Sequence, residues 1–121
     1  MSYKVLIIED ELAIARVLDL KLKQSGIDTK VINDGSLALD VLNEEEFDCI
    51  LLDLILPGAD GFTILEFIRQ KDQSTKVIIM TNLGQPEDRA RVEKLGINAY
   101  YVKSEVSISQ LAESVKQVLM T

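Results

Sequence analysis

Cys49-Ile50-Leu51-Leu52-Asp53 is a run of four apolar residues closed by a carboxylate. Three other stretches repeat the form: Val5-Leu6-Ile7-Ile8 ends in Glu9-Asp10, Val77-Ile78-Ile79-Met80 in Thr81, and Tyr100-Tyr101-Val102 in Lys103. Short continuous apolar runs between helical patterns mark parallel strands buried on both faces. Parallel neighbours need crossover connections, usually helices, and those are right-handed. Strands are expected at about 4–8, 28–32, 48–52, 76–80 and 99–102, and helices at about 11–24, 35–45, 61–71 and 87–94.

A final helix is the most regular, with Ile108, Leu111, Ala112, Val115, Val118 and Leu119 on one face. Ser107 and Gln110 have capping-box spacing at its start, and Asp34 can cap the second helix. The helix around 87–94 is the least apolar, offering only Ala90, Val92 and Leu95. The second strand alternates polar and apolar residues, as an edge strand does. The runs at 4–8, 48–52 and 76–80 belong in the middle. These constraints predict an α/β fold: a doubly wound, five-stranded parallel sheet of order 2-1-3-4-5, flavodoxin-like, with five helices. The topological switch then lies between the first and third strands, where Asp10 and Asp53 stand.

Composition narrows the chemistry. The 121 residues suffice for one domain, and 47% hydrophobic content excludes global disorder. No apolar run reaches the roughly 20 residues of a membrane span, and residues 1–4 lack a signal-peptide pattern. A lone Cys49 inside a strand implies a buried thiol in a reducing compartment, so a cytoplasmic location is expected. The formal net charge of -7 argues against direct nucleic-acid binding. With no histidine, the chain has no Ser-His or Cys-His dyad and no His-containing zinc site. A bound metal should be hard and oxygen-liganded.

Open α/β sheets hold their ligands at the carboxyl ends of the strands. Glu9, Asp10, Asp53, Thr81 and Lys103 should therefore converge, a set suited to a divalent cation and a phosphoryl group. Glu9-Asp10-Glu11 can also be read as acids favouring a helix N-terminus. Asp53 follows a doubly buried run and needs a partner, for which Lys103 and a metal are the candidates.

Over essentially its whole length the chain resembles the receiver domain of bacterial response regulators. The resemblance rests on Glu9-Asp10, Asp53, the turn Pro57-Gly58-Ala59-Asp60-Gly61-Phe62, Thr81, Gly96-Ile97-Asn98-Ala99-Tyr100 and Lys103, in that order and spacing. It implies a single receiver domain at 1–121, with no output domain in this chain. Asp53 would accept a phosphoryl group from a histidine kinase, a histidine phosphotransfer protein or a small phosphodonor. Asp10 and Asp53 would ligate Mg2+ directly, Glu9 through water, and the Ile55 carbonyl would be a further ligand; Mn2+ would substitute. Thr81 and Lys103 would contact the phosphoryl group, and Tyr100 would be the switch aromatic. The output would be a change in the face formed by the fourth helix, fifth strand and fifth helix, read by a downstream protein. Apart from phosphoryl acceptance and slow self-dephosphorylation the chain would not be an enzyme.

Several positions depart from the family pattern. Ser104 replaces the proline that usually follows the lysine, so a trans peptide is expected there. Asn82 replaces a small residue after the threonine, and Leu56 a methionine. Ile55 and Leu83 are apolar where neighbours influence water attack, which implies slow loss of the phosphoryl group. Asn98-Ala99 lacks the acidic pair of a salt-bridged dimer, so a monomer or weak dimer is expected. Two other classes follow from the residues: a phosphorylation-independent adaptor, motivated by Ser104 and Asn82, and a small hydrolase with an aspartyl-phosphate intermediate.

Overall fold

The apolar runs form the sheet and the periodic segments cover it. The computed structural model describes residues 2–121. Its strands are β1 (Lys4–Ile8), β2 (Asp28–Ile32), β3 (Cys49–Leu52), β4 (Lys76–Thr81) and β5 (Ala99–Val102). The helices are α1 (Leu12–Gln24), α2 (Gly35–Glu44), α3 (Gly61–Lys71), α4 (Pro86–Leu95) and α5 (Ile108–Leu119), with a 3-10 turn (Lys103–Glu105) leading into α5. All strand pairs are parallel, in the order β2-β1-β3-β4-β5. The doubly wound fold expected from the sequence is the fold observed.

Successive strand residues point to opposite faces, which is why the central strands must be apolar throughout. Val5, Ile7, Cys49, Leu51, Ile78 and Met80 pack with Ala15, Leu18, Leu111 and Val115 of α1 and α5. Leu6, Ile8, Ile50, Leu52, Val77 and Ile79 pack with Ala38, Leu42, Ile64, Leu65, Ile68 and Val92 of α2, α3 and α4. Burial pushes the Cys49 thiol up to about 12, an inert core sulfur. Among the described residues no helix is long and apolar enough to cross a membrane.

Element ends differ from the sequence expectation by a residue or so, each for a local reason. Glu11 has extended backbone and occupies the N-cap position of α1, which therefore starts at Leu12. Thr81 pairs with Val102, so β4 gains a residue. Pro86 opens α4 at a position where a missing N–H costs nothing. Glu45 leaves α2 and binds Lys4 at 2.8 Å and Lys30 at 2.5 Å instead. Asp48 precedes β3 and accepts the Lys4 backbone N–H at 2.8 Å. The caps proposed for Asp34 and for Ser107 with Gln110 are both present.

Helix α4 has one buried residue, Val92. Two arginines supply what apolar packing does not. Arg91 lies over the Phe62 ring at 4.1 Å, and Arg89 over the Tyr100 ring at 5.3 Å. A third, Arg69, is 7% exposed and donates to the carbonyls of Gly96, Asp72 and Thr75 at 3.0, 3.2 and 2.8 Å. It ties the loop before β4 to the loop before β5, and so helps set the position from which Tyr100 and Lys103 project.

Candidate functional site

The sheet ladder delivers the acidic residues to one crevice. The Glu9 N–H donates to the Ile32 carbonyl at 3.0 Å and the Asp53 N–H to the Ile8 carbonyl at 3.1 Å. Both side chains therefore emerge just beyond the last paired residues of adjacent strands. Gly61 sits hard against the Asp53 backbone: a Cβ there would lie 2.3 Å from the Asp53 carbonyl oxygen. Gly35 is equally confined, with a virtual Cβ 1.7 Å from the Ala59 oxygen, and its N–H donates to the Pro57 carbonyl at 2.9 Å. The loop after Asp53 is thus fastened at α3 and at α2.

Glu9 and Asp53 are 0% and 2% exposed, while Asp10 is exposed. Lys103 lies between the two buried acids. Its Nζ donates to Asp53 Oδ2 at 2.7 Å, to Glu9 Oε1 at 2.8 Å and to Glu11 Oε2 at 3.2 Å. Asp53 Oδ1 accepts the Ile55 N–H at 3.1 Å, and Glu9 Oε2 accepts the Glu11 N–H at 3.1 Å. A crevice of about 140 Å³ opens above them, lined by Asp10, Glu11, Asp53, Ile55, Asn82 and Lys103.

Burial governs the electrostatics. It raises the Glu9 carboxyl to about 7, aided by the nearby Asp53 charge and opposed by hydrogen bonds from Lys103 and the Glu11 N–H. For Lys103 burial alone would lower the ammonium, but its bonds to Asp53 and Glu9 more than offset this and hold it above its ordinary value. One cation thus serves two buried carboxylates and a third half-exposed one.

Glu9, Asp10 and Asp53 each present a carboxylate oxygen within 4.8 Å of the others. Three hard oxygen donors of this kind fit magnesium or manganese. These are the three acidic side chains that the sequence placed at this crevice, and together they could hold a metal ion.

Thr81 is fully buried at the end of β4, and its Oγ1 accepts the Leu83 N–H at 3.3 Å. The Tyr100 hydroxyl donates to the Leu83 carbonyl. Residue 83 therefore links the threonine hydroxyl to the aromatic ring through its own backbone. Tyr100 itself contacts this loop and Arg89 rather than the carboxylates. Burial, with Asp88 nearby, raises its phenol above the usual range.

Ile55 is 53% exposed at the rim, where its side chain faces solvent beside the crevice, and Leu83 is half-buried. The peptide after Lys103 is trans, as expected with Ser104 there. Lys103 reaches Asp53 with Ser104 in place.

Sequence reasoning did not single out Glu11 as a site residue, nor Arg89 and the Leu83 backbone as partners of Tyr100. Glu11 had one signal, its place two residues beyond Glu9 at the end of the same strand. Leu83 and Arg89 had none, since their contacts arise from loop geometry.

Comparison with known proteins agrees with this geometry. A family model described as the response regulator receiver domain matches residues 5–116. The transcriptional activator protein PfeR of Pseudomonas aeruginosa is 36% identical over 102 residues, covering 84% of this chain and 33% of the activator. The chain thus spans about a third of that relative's length. The receiver domain of a Francisella response regulator is similar at a TM-score of 0.87 and 33% identity, covering 98% of this chain and 97% of that one. A BeF3-activated receiver domain of DrrB, a Thermotoga maritima OmpR/PhoB homologue, gives 0.89 and 28%, with both chains fully covered.

Proposed function

The chain belongs to the response regulator receiver family, and from that premise we propose that it is a phosphoacceptor switch of a two-component phosphorelay. The observation that carries this reading is Lys103, an ammonium shared between the buried carboxylates Asp53 and Glu9 at 2.7 and 2.8 Å. Such an arrangement holds the carboxylate in place with a fixed cation and puts that cation where charge develops during transfer.

Asp53 is the nucleophile. A carboxylate oxygen forms a bond to phosphorus as the bond from phosphorus to the donor breaks, and the donor leaves with the electron pair. The donor is a phosphohistidine of a histidine kinase or phosphotransfer protein, or a small acyl phosphate. Glu9, Asp10, Asp53 and the Ile55 carbonyl would hold Mg2+, or Mn2+ in its place. When bound, the metal would supply positive charge to offset that of the transferred group.

Lys103 neutralises a phosphoryl oxygen, and Thr81 donates its hydroxyl hydrogen to another. That hydrogen is not engaged by the Leu83 N–H, which uses the threonine oxygen as acceptor. Movement of Thr81 toward the phosphoryl group draws residue 83, and with it the carbonyl that holds the Tyr100 hydroxyl. The change is thereby passed to α4, which has the least apolar anchorage, and to the face shared with β5 and α5. A downstream protein reads that face. Ile55 and Leu83 offer no polar group to orient water, so hydrolysis of the acyl phosphate is slow and the chain is not a turnover enzyme. This domain acts in the cytoplasm, as a monomer or weak dimer, and does not itself contact nucleic acid or membrane.

Acetyl phosphate with magnesium tests this reading. Intact mass should show one acid-labile phosphoryl group on the wild type, none on Asp53→Asn, and none when the metal is chelated. An unmodified wild type would point to a phosphorylation-independent adaptor, and rapid acetyl phosphate turnover without an adduct to a hydrolase.

A further inference from the structure

A lysine ammonium has three N–H donors, and three carboxylates engage Lys103: Asp53 at 2.7 Å, Glu9 at 2.8 Å and Glu11 at 3.2 Å. Asp53 and Glu9 are buried, and the proposed chemistry requires them. Glu11 differs from both. Its side chain is 50% exposed, and although it is the cap residue of α1 it makes no side-chain cap bond. Its backbone N–H is instead held by Glu9 Oε2 at 3.1 Å. That bond fixes the base of the Glu11 side chain beside the crevice it lines, and the carboxylate reaches Lys103 from there.

An ammonium with every donor engaged must free one before it can donate to a phosphoryl oxygen. Until the bond to phosphorus forms, releasing Glu9 or Asp53 would leave a buried carboxylate without its cation. Releasing Glu11 returns a half-exposed carboxylate to water, and such pairs are individually weak. We propose that Glu11 is a positioning residue that restrains Lys103 in the unphosphorylated protein and is exchanged for a phosphoryl oxygen when Asp53 is modified. This rests on the reading of Asp53 as phosphoacceptor. With acetyl phosphate as donor, the Asp53 oxygen bonds to phosphorus and acetate departs with the electron pair of the broken P–O bond. Glu11 takes part in neither bond. It sets how often Lys103 is free to meet the incoming group.

Two variants separate restraint from simple charge. Glu11→Gln removes the charge at nearly constant shape. Glu11→Asp keeps the charge but withdraws it by one methylene from Lys103. Both are measured in the full chain by the 1H–15N resonance of the Lys103 ammonium without phosphodonor, and by the initial rate of adduct formation with acetyl phosphate at fixed, subsaturating magnesium. The expected result is a broadened or lost Lys103 resonance and a roughly two- to five-fold faster rate in both variants. A Glu11→Asp protein indistinguishable from wild type in both measurements overturns the restraint, even if Glu11→Gln is faster, because charge alone then explains the rate. Absence of any adduct on the wild type overturns the Asp53 reading and the exchange together. An adduct on the wild type with an unchanged Glu11→Asp overturns the restraint alone.

Discussion

Replacing Glu9 by glutamine should make the protein's stability less dependent on pH, in metal-free buffer, across one defined window. The folded-state carboxyl lies at about 7 against 4.5 when exposed. A raised value means that the folded protein binds the proton more tightly than the unfolded chain. Stability from this group is complete below about pH 4.5, falls as pH rises, and is lost above about 7. At about 1.36 kcal/mol per pH unit the loss is about 3 kcal/mol. Lys103, whose folded value is also raised, gives up its contribution only at alkaline pH, outside the window. Glu9→Gln resembles the protonated acid at every pH. Urea melts of both proteins from pH 4.5 to 8 should therefore show the variant gaining on the wild type as pH rises, then holding a constant lead. With an m-value of about 2 kcal/mol per molar, the midpoint difference should grow by roughly 1.5 M. A constant offset reflects the altered bond to Lys103 and has no bearing on the titration. Parallel stability curves, or a wild type that gains on the variant with rising pH, would refute the account of Glu9.

Lys103→Met leaves Glu9 and Asp53 buried without their cation and should cost about 3–5 kcal/mol at pH 8 by urea denaturation. Adding Asp53→Asn should recover part of that loss, and no recovery would show that the carboxylates do not depend on Lys103. Tyr100→Phe removes the bond to the Leu83 carbonyl and should cost about 1 kcal/mol. It should also shift the amide resonances of Leu83 and Thr81, and unchanged resonances would break the proposed link between ring and hydroxyl. The acyl phosphate should persist for minutes or longer in magnesium buffer, and Ile55→Asn should shorten its life. A half-life of seconds in the wild type would contradict the role given to the apolar rim.

The central sheet was legible because its physics is local. Three apolar runs too continuous for an edge had to be β1, β3 and β4, and the alternating second strand had to flank them. The order and the strand-end cluster follow from that pattern alone. Asp34 and Ser107 were legible as caps for the same reason, since their partners lie two or three residues away. Helix α4 was harder to bound: with only Val92 buried it has no stripe to read, and it is held by Arg89 and Arg91 against aromatic rings elsewhere. The Glu11–Lys103 contact joins positions 92 residues apart, and no spacing rule reaches that far. Arg69 was invisible too, because what it binds are backbone carbonyls of loops whose paths depend on the folded sheet.

The account stands most directly on where the phosphoryl group is attached. Treating the acetyl phosphate-modified protein with borohydride reduces an aspartyl phosphate to homoserine, which peptide mass mapping then locates. Homoserine at position 53, absent from Asp53→Asn and from protein treated without magnesium, is the predicted result. Homoserine at Asp10 or elsewhere, or phosphate retained on a hydroxyl such as Thr81, would contradict the assignment of Asp53 as the acceptor.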